Sequence, residues 1–69
     1  MKNLVKERLK ELRKEKGLTQ KQIAKIINKS ETGYASWEQG LAEPCINDLI
    51  TLSDYYKVSI DYLVGKDDI

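Results

Sequence analysis

Apolar residues recur along this chain at intervals of three and four, and β-branched residues nowhere alternate with polar ones over a useful length. That period predicts five short helices and no sheet. The first spans about Asn3 to Lys16, with Leu4, Val5, Leu9 and Leu12 on one stripe and Gly17 as a left-handed stop. The second spans about Gln20 to Ile27. Thr19 caps it, Gln22 completes a reciprocal capping box, and Ile23, Ala24 and Ile27 form its buried face. Asn28 tolerates a positive φ and serves as its stop. The third spans about Glu31 to Gln39, between Ser30 as N-cap and Gly40 as terminator, with Glu31 suited to the positive end of the helix dipole. The fourth starts at Pro44, whose fixed φ suits a first helical position. It runs to about Tyr56 with Ile46, Leu49, Ile50 and Leu52 as its apolar face. The fifth is Ile60 to Val64, between Ser59 and Gly65, and the tail from Lys66 to Ile69 reads as frayed.

These elements fill one all-α domain, residues 1–69, folded as a compact bundle of five short helices. A domain this small buries only about 60% of its unfolded surface, so packing must be efficient or supplemented by association. Composition then removes whole classes of function. No window offers ~20 consecutive apolar residues, so no membrane span is expected. The start, Met1-Lys2-Asn3-Leu4-Val5-Lys6-Glu7, lacks the apolar run of a secretory signal. One Cys and no His exclude a disulfide framework and a zinc site, and imply an intracellular protein. No nucleophile–base pair or metal-ligand set is visible, so neither catalysis, nor a cofactor, nor a metal is expected.

Charge adds a direction. Residues 1–40 carry ten Lys/Arg and five Asp/Glu, a net of +5, whereas residues 41–69 carry two Lys and six Asp/Glu, a net of −4. The N-terminal half can therefore attract a polyanion that the C-terminal half repels. The segment of interest lies in the basic half, at about 19–40, where only Asn28, Lys29 and Ser30 separate the second and third helices. Helix, three-residue turn, helix is the helix-turn-helix motif, although a plain helical hairpin meets the same spacing. The third helix carries Thr32, Gly33, Ala35 and Ser36, small residues that permit close approach to a major groove.

At this point the chain resembles the Xre/Cro-type helix-turn-helix regulators of bacteria and phages, over nearly its whole length. The resemblance is carried by Arg8-Leu9-Lys10-Glu11-Leu12-Arg13, Gly17-Leu18-Thr19-Gln20 and Ile23-Ala24. It continues through Ser30, Tyr34, Trp37-Glu38-Gln39-Gly40, Glu43-Pro44 and Leu49 to Val58-Ser59-Ile60-Asp61-Tyr62-Leu63-Val64-Gly65. It implies a lambda-repressor-like fold and a sequence-specific, cytoplasmic regulator of transcription, at the bacterial nucleoid or in a phage-infected bacterial cell, a repressor that binds a pseudo-palindromic operator as a homodimer. Gln20 matches a phosphate-contacting position at a helix N-terminus. Glu31, Thr32 and Ser36 match base-reading positions, with Gly33 and Tyr34 flanking them. Arg13 and Glu38 match a structural ion pair that sets the angle of the third helix.

The departures from the family pattern are informative. Glu31 replaces a neutral or basic residue, and a carboxylate there can accept from cytosine N4 or simply serve the helix dipole. Gly33 costs roughly 1 kcal/mol of helix stability, which a close backbone approach to DNA or tight packing explains. Lys29 replaces an apolar turn residue and is expected, with Lys21 and Lys25, to meet phosphate. The loop Gly40-Leu41-Ala42-Glu43 has no cation, so its contacts fall to backbone N–H groups. Cys45 reads as a small semi-buried side chain in the first turn of the fourth helix. Tyr55, Tyr56, Ile60, Tyr62 and Val64 are partly core and otherwise the expected dimer patch. The acidic C-terminal half offers an alternative role, as a surface for a protein partner.

Overall fold

A computed structural model describes residues 4–66. Five helices follow in order: α1 Val5–Glu15, α2 Gln20–Ile26, α3 Glu31–Gln39, α4 Ile46–Tyr56 and α5 Ile60–Val64. The Cα radius of gyration is 10.8 Å. α1 packs against α3 and α5, α2 against α3, and α4 against α5. Each helix contributes one large, fully buried side chain to the core: Leu9, Ile23, Tyr34, Leu52 and Leu63. No helix of the described residues is long and apolar enough to cross a membrane.

The helix ends follow local chemistry. Thr19 Oγ1 accepts from the Gln22 N–H at 3.1 Å while Gln22 Oε1 accepts from the Thr19 N–H at 2.8 Å, which completes the expected capping box. Ser30 and Ser59 accept from the N–H groups of Gly33 and Tyr62. Asn28 stands at φ 63°, as its tolerance for that region predicts, and Lys57 at φ 59° ends α4 in the same way.

Five expectations need correction. α1 begins at Val5, Lys16 being its C-cap, and Asn3 lies outside the described residues. α4 begins at Ile46, not at Pro44. The Asp48 carboxylate accepts from the Cys45 N–H at 3.3 Å and from the Cys45 thiol at 3.1 Å, which makes Cys45 the cap and leaves its side chain exposed rather than semi-buried. The buried stripe of α4 is Leu49, Leu52 and Tyr56, and Ile46 and Ile50 face outward. At the C-terminal end, Lys66 is anchored by its N–H to the Asp61 carbonyl at 2.8 Å rather than frayed, and residues 67–69 lie outside the described residues.

The two ends of the described chain meet. The Leu4 N–H donates to the Val64 carbonyl at 3.1 Å, and Gly65 turns beneath the Leu4 side chain at φ 86°. A Cβ on Gly65 would lie 2.6 Å from Leu4 Cγ, whereas one on Gly17, at φ 70°, would meet nothing within 4 Å. The left-handed backbone costs an L residue about 1–2 kcal/mol at either position. Gly65→Ala is therefore expected to lose clearly more stability in urea unfolding than Gly17→Ala. Equal losses would remove the Leu4 contact from the account.

Candidate nucleic-acid interface

Burial divides α3 into two faces. Tyr34, Trp37 and Glu38 point inward, and Tyr34 and Trp37 meet edge to face with ring centroids 5.8 Å apart. Glu31, Thr32, Ala35 and Ser36 lie on the opposite face, the first two exposed and the others half-buried. Because residues four apart share a helix face, 31 with 35 and 32 with 36 form one small outward patch.

The inward face carries a buried carboxylate. Glu38 is 4% exposed. It accepts from Arg13 Nε at 2.7 Å, Arg13 Nη2 at 3.1 Å and Gln20 Nε2 at 3.0 Å. Arg13 Nη1 donates to the Leu18 carbonyl at 2.9 Å. One two-pronged ion pair thus joins α1, the α1–α2 turn, the start of α2 and the far end of α3. Burial alone raises the Glu38 pKa, but the Arg13 guanidinium, the Tyr34 hydroxyl and the Gln20 amide outweigh it and hold the carboxyl below its ordinary range. The Glu38 bond raises the Arg13 pKa against the opposing effect of its desolvation. The Tyr34 hydroxyl faces this carboxylate without hydrogen-bond geometry, and the Tyr56 hydroxyl is likewise buried without a partner. Burial pushes both phenols up, Tyr56 to about 12.

The residues expected to contact DNA occupy different settings. Lys21 and Lys25 are exposed on α2 and make no ion pair among the described residues. Gln20 is half-buried with its amide turned onto Glu38, so its side chain braces α3. Lys29 Nζ pairs with Asp48 Oδ1 at 3.0 Å and ties the turn to the start of α4. Burial raises the Asp48 pKa, but the bonds from Cys45 and Lys29 outweigh it and hold it low. Gly33 is half-buried; a Cβ there would lie 3.0 Å from the Ser30 hydroxyl that caps its N–H, so the glycine keeps the cap intact.

Some expectations fail. Tyr34 is fully buried and belongs to the core, not to a contact surface. Tyr56 is also core, which removes it from any dimer patch. The Gly40, Leu41 and Ala42 N–H groups are turned back onto the Trp37 and Ser36 carbonyls and cannot serve phosphate. Tyr55, Ile60, Tyr62 and Val64 remain half-buried against the core. Arg8 lies over the Tyr62 ring at 4.1 Å and Lys16 over the Tyr55 ring at 5.3 Å. The positioning role of Gln20 and the Lys29–Asp48 pair left no trace in the sequence, since either depends on which rotamer a folded neighbour accepts.

The comparisons agree with this architecture. The helix-turn-helix family profile matches residues 9–63. The chain is 40% identical over 62 residues to the HTH-type transcriptional regulator ImmR of Bacillus subtilis, covering 90% of this chain and 49% of that protein. It superposes with a TM-score of 0.89 on the crystal structure of a transcriptional regulator from Listeria innocua, at 38% identity, covering 94% of this chain and 61% of the other. With the P22 c2 repressor in complex with a synthetic operator, the TM-score is 0.84 at 30% identity, covering 91% and 96% of the two chains. The chain spans about half the length of the curated relatives it matches. The profile, the repressor superposition and the two-faced third helix agree, and this chain belongs to the Xre/Cro-type helix-turn-helix family.

Proposed function

We propose that this protein regulates transcription, as a repressor, by binding a pseudo-palindromic operator in duplex DNA as a homodimer. One observation carries the reading. Thr32 and Ser36 are the small polar residues on the outer face of α3, in a chain that superposes with a TM-score of 0.84 on a repressor crystallised with a synthetic operator. Two such helices, one per protomer, would enter successive major grooves about 34 Å apart. Lys21 and Lys25 on α2 would engage phosphate and fix register, and Glu31, Thr32, Gly33 and Ser36 would face the base edges. Lys29, held by Asp48, would contribute through its half-exposed ammonium. Tyr55, Ile60, Tyr62 and Val64 form the dimer surface in this reading. No catalytic step is part of it.

Selection from a random duplex library tests the reading. An inverted repeat with half-sites one helical turn apart is the expected product, and binding equal on all sequences overturns it. On the selected duplex, affinity falls as salt rises because bound phosphates release their counterions. Lys21→Ala is expected to weaken binding to all sequences alike and to reduce the log–log salt slope by about 1. An unchanged slope would place Lys21 away from the backbone.

A further inference from the structure

The outer face of α3 offers bases something more specific than small polar side chains. The Ser36 hydroxyl donates its proton to the Gly33 carbonyl at 2.6 Å. A hydroxyl has one proton, so Ser36 retains only its lone pairs for an outside partner. Glu31, exposed and without an ion pair among the described residues, is a carboxylate and accepts only. Ala35 between them is apolar. α3 contains no Lys, Arg or Asn, and its lone Gln, Gln39, is its last residue, about 12 Å along the axis from Glu31. The Gln20 amide, the other donor near this end of the motif, gives one of its two N–H groups to Glu38 and is half-buried on α2, off the α3 face. Only Thr32 keeps a hydroxyl free to donate, beside a methyl group.

In the major groove guanine presents two acceptors, N7 and O6, whereas cytosine N4 and adenine N6 present donors and thymine a methyl group. Resting on the DNA-binding reading above, we infer that the Glu31–Ser36 face reads the amino groups of cytosine and adenine and leaves the guanine edge unread. Ser36 and Glu31 are the specificity-determining residues, each accepting from one amino group per half-site. Thr32 lies between them, its methyl suited to a neighbouring thymine. This inverts the common arrangement, in which Arg or Lys on the recognition helix seeks guanine, and it assigns cations only to the phosphates.

The test uses the full chain and the duplex recovered by selection. Each adenine is replaced singly by purine deoxyribonucleoside, which lacks the N6 amino group, and each cytosine by the 2-pyrimidinone deoxynucleoside, which lacks N4. Inosine for guanine controls for weakened pairing, because it removes only a minor-groove amino group. 7-Deazaguanine removes the N7 acceptor. The wild type is expected to lose about tenfold or more at two positions per half-site on amino deletion, the range that one base contact supplies. It is expected to be indifferent to 7-deazaguanine throughout. Ser36→Ala should bind more weakly and lose sensitivity at one of those two positions. Glu31→Gln, which gains a donor, should shift preference at the other from cytosine toward adenine.

A tenfold loss with 7-deazaguanine at any base pair, or full amino sensitivity retained in Ser36→Ala with unchanged helical circular dichroism, overturns the inference while the operator-binding reading stands. Failure of the selection to enrich any sequence overturns both.

Discussion

Glu38→Ala is expected to remove most of the stability of this domain. A 69-residue chain has a total of roughly 3–10 kcal/mol at 0.05–0.15 kcal/mol per residue. Breaking a buried, hydrogen-bonded ion pair by deleting one partner costs about 3–5 kcal/mol, because the partner is left buried without compensation. Three side-chain N–H groups, two from Arg13 and one from Gln20, lose their acceptor at once. The loss falls on the segment that joins α1 and α2 to α3, so it reaches the angle of α3 as well as the core. Glu38→Gln keeps the shape and one carbonyl oxygen and is expected to lose less. Urea unfolding at neutral pH reads both, and a loss below about 1 kcal/mol for Glu38→Ala would place the pair among weak surface bridges.

The same pair predicts an acid limb. The Glu38 carboxyl has a pKa below its unfolded value. Its stabilisation is therefore complete above the ordinary glutamate range and is lost as pH falls through the lowered folded value. Asp48, also held low, contributes in the same direction. Wild-type stability should be level from neutral pH down to the ordinary carboxylate range and fall below it. In Glu38→Gln the fall should be shallower, with the Asp48 share remaining.

Ser36→Glu is expected to lower operator affinity more than a hundredfold while leaving the fold intact. The side chain is half-buried on the outer face and gives up its bond to the Gly33 carbonyl, so folding should lose about 0.5–1.5 kcal/mol, the worth of one such bond. A carboxylate at residue 36, on the outer face and facing phosphate-lined grooves, meets like charge, which costs several kcal/mol at an interface. Each 1.4 kcal/mol is tenfold in affinity. The variant also separates DNA binding from the alternative role in protein binding, because a partner seated on the acidic α4–α5 side would still bind it. Affinity for the selected duplex within threefold of wild type would remove the outer face of α3 from the interface.

The elements most legible in the sequence were those fixed by chemistry within a few residues. Thr19 with Gln22, Ser30, Asn28, Gly40, Ser59 and Gly65 each set a helix end through a bond or a φ that the residue carries with it, and α2, α3 and α5 lie where those signals put them. α4 was harder. Ile46, Leu49, Ile50 and Leu52 fit more than one apolar stripe, and the start at Ile46 rather than the expected Pro44 goes with Asp48, which accepts from the Cys45 backbone N–H and thiol. Tyr34 and Tyr56 show a different limit. A tyrosine beside polar residues fits a core and a surface equally well by pattern, and here the ring packing prevails while both hydroxyls are buried unpaired. The Arg13–Glu38 pair followed from the resemblance, but the third bond from Gln20 did not. Through that bond the Gln20 side chain, expected at phosphate, braces α3.

The central claim is that the outer face of α3, braced by Glu38, meets the operator. Amide chemical-shift mapping of the isotope-labelled chain, titrated with the selected duplex and with a scrambled duplex of equal length, tests it most directly. The account predicts specific shifts for Lys21, Glu31, Thr32, Gly33, Ala35 and Ser36 on the selected duplex, weaker and averaged shifts on the scrambled one, and an unmoved Leu52 in the core. Shifts on the selected duplex that leave Glu31 to Ser36 unmoved would contradict it.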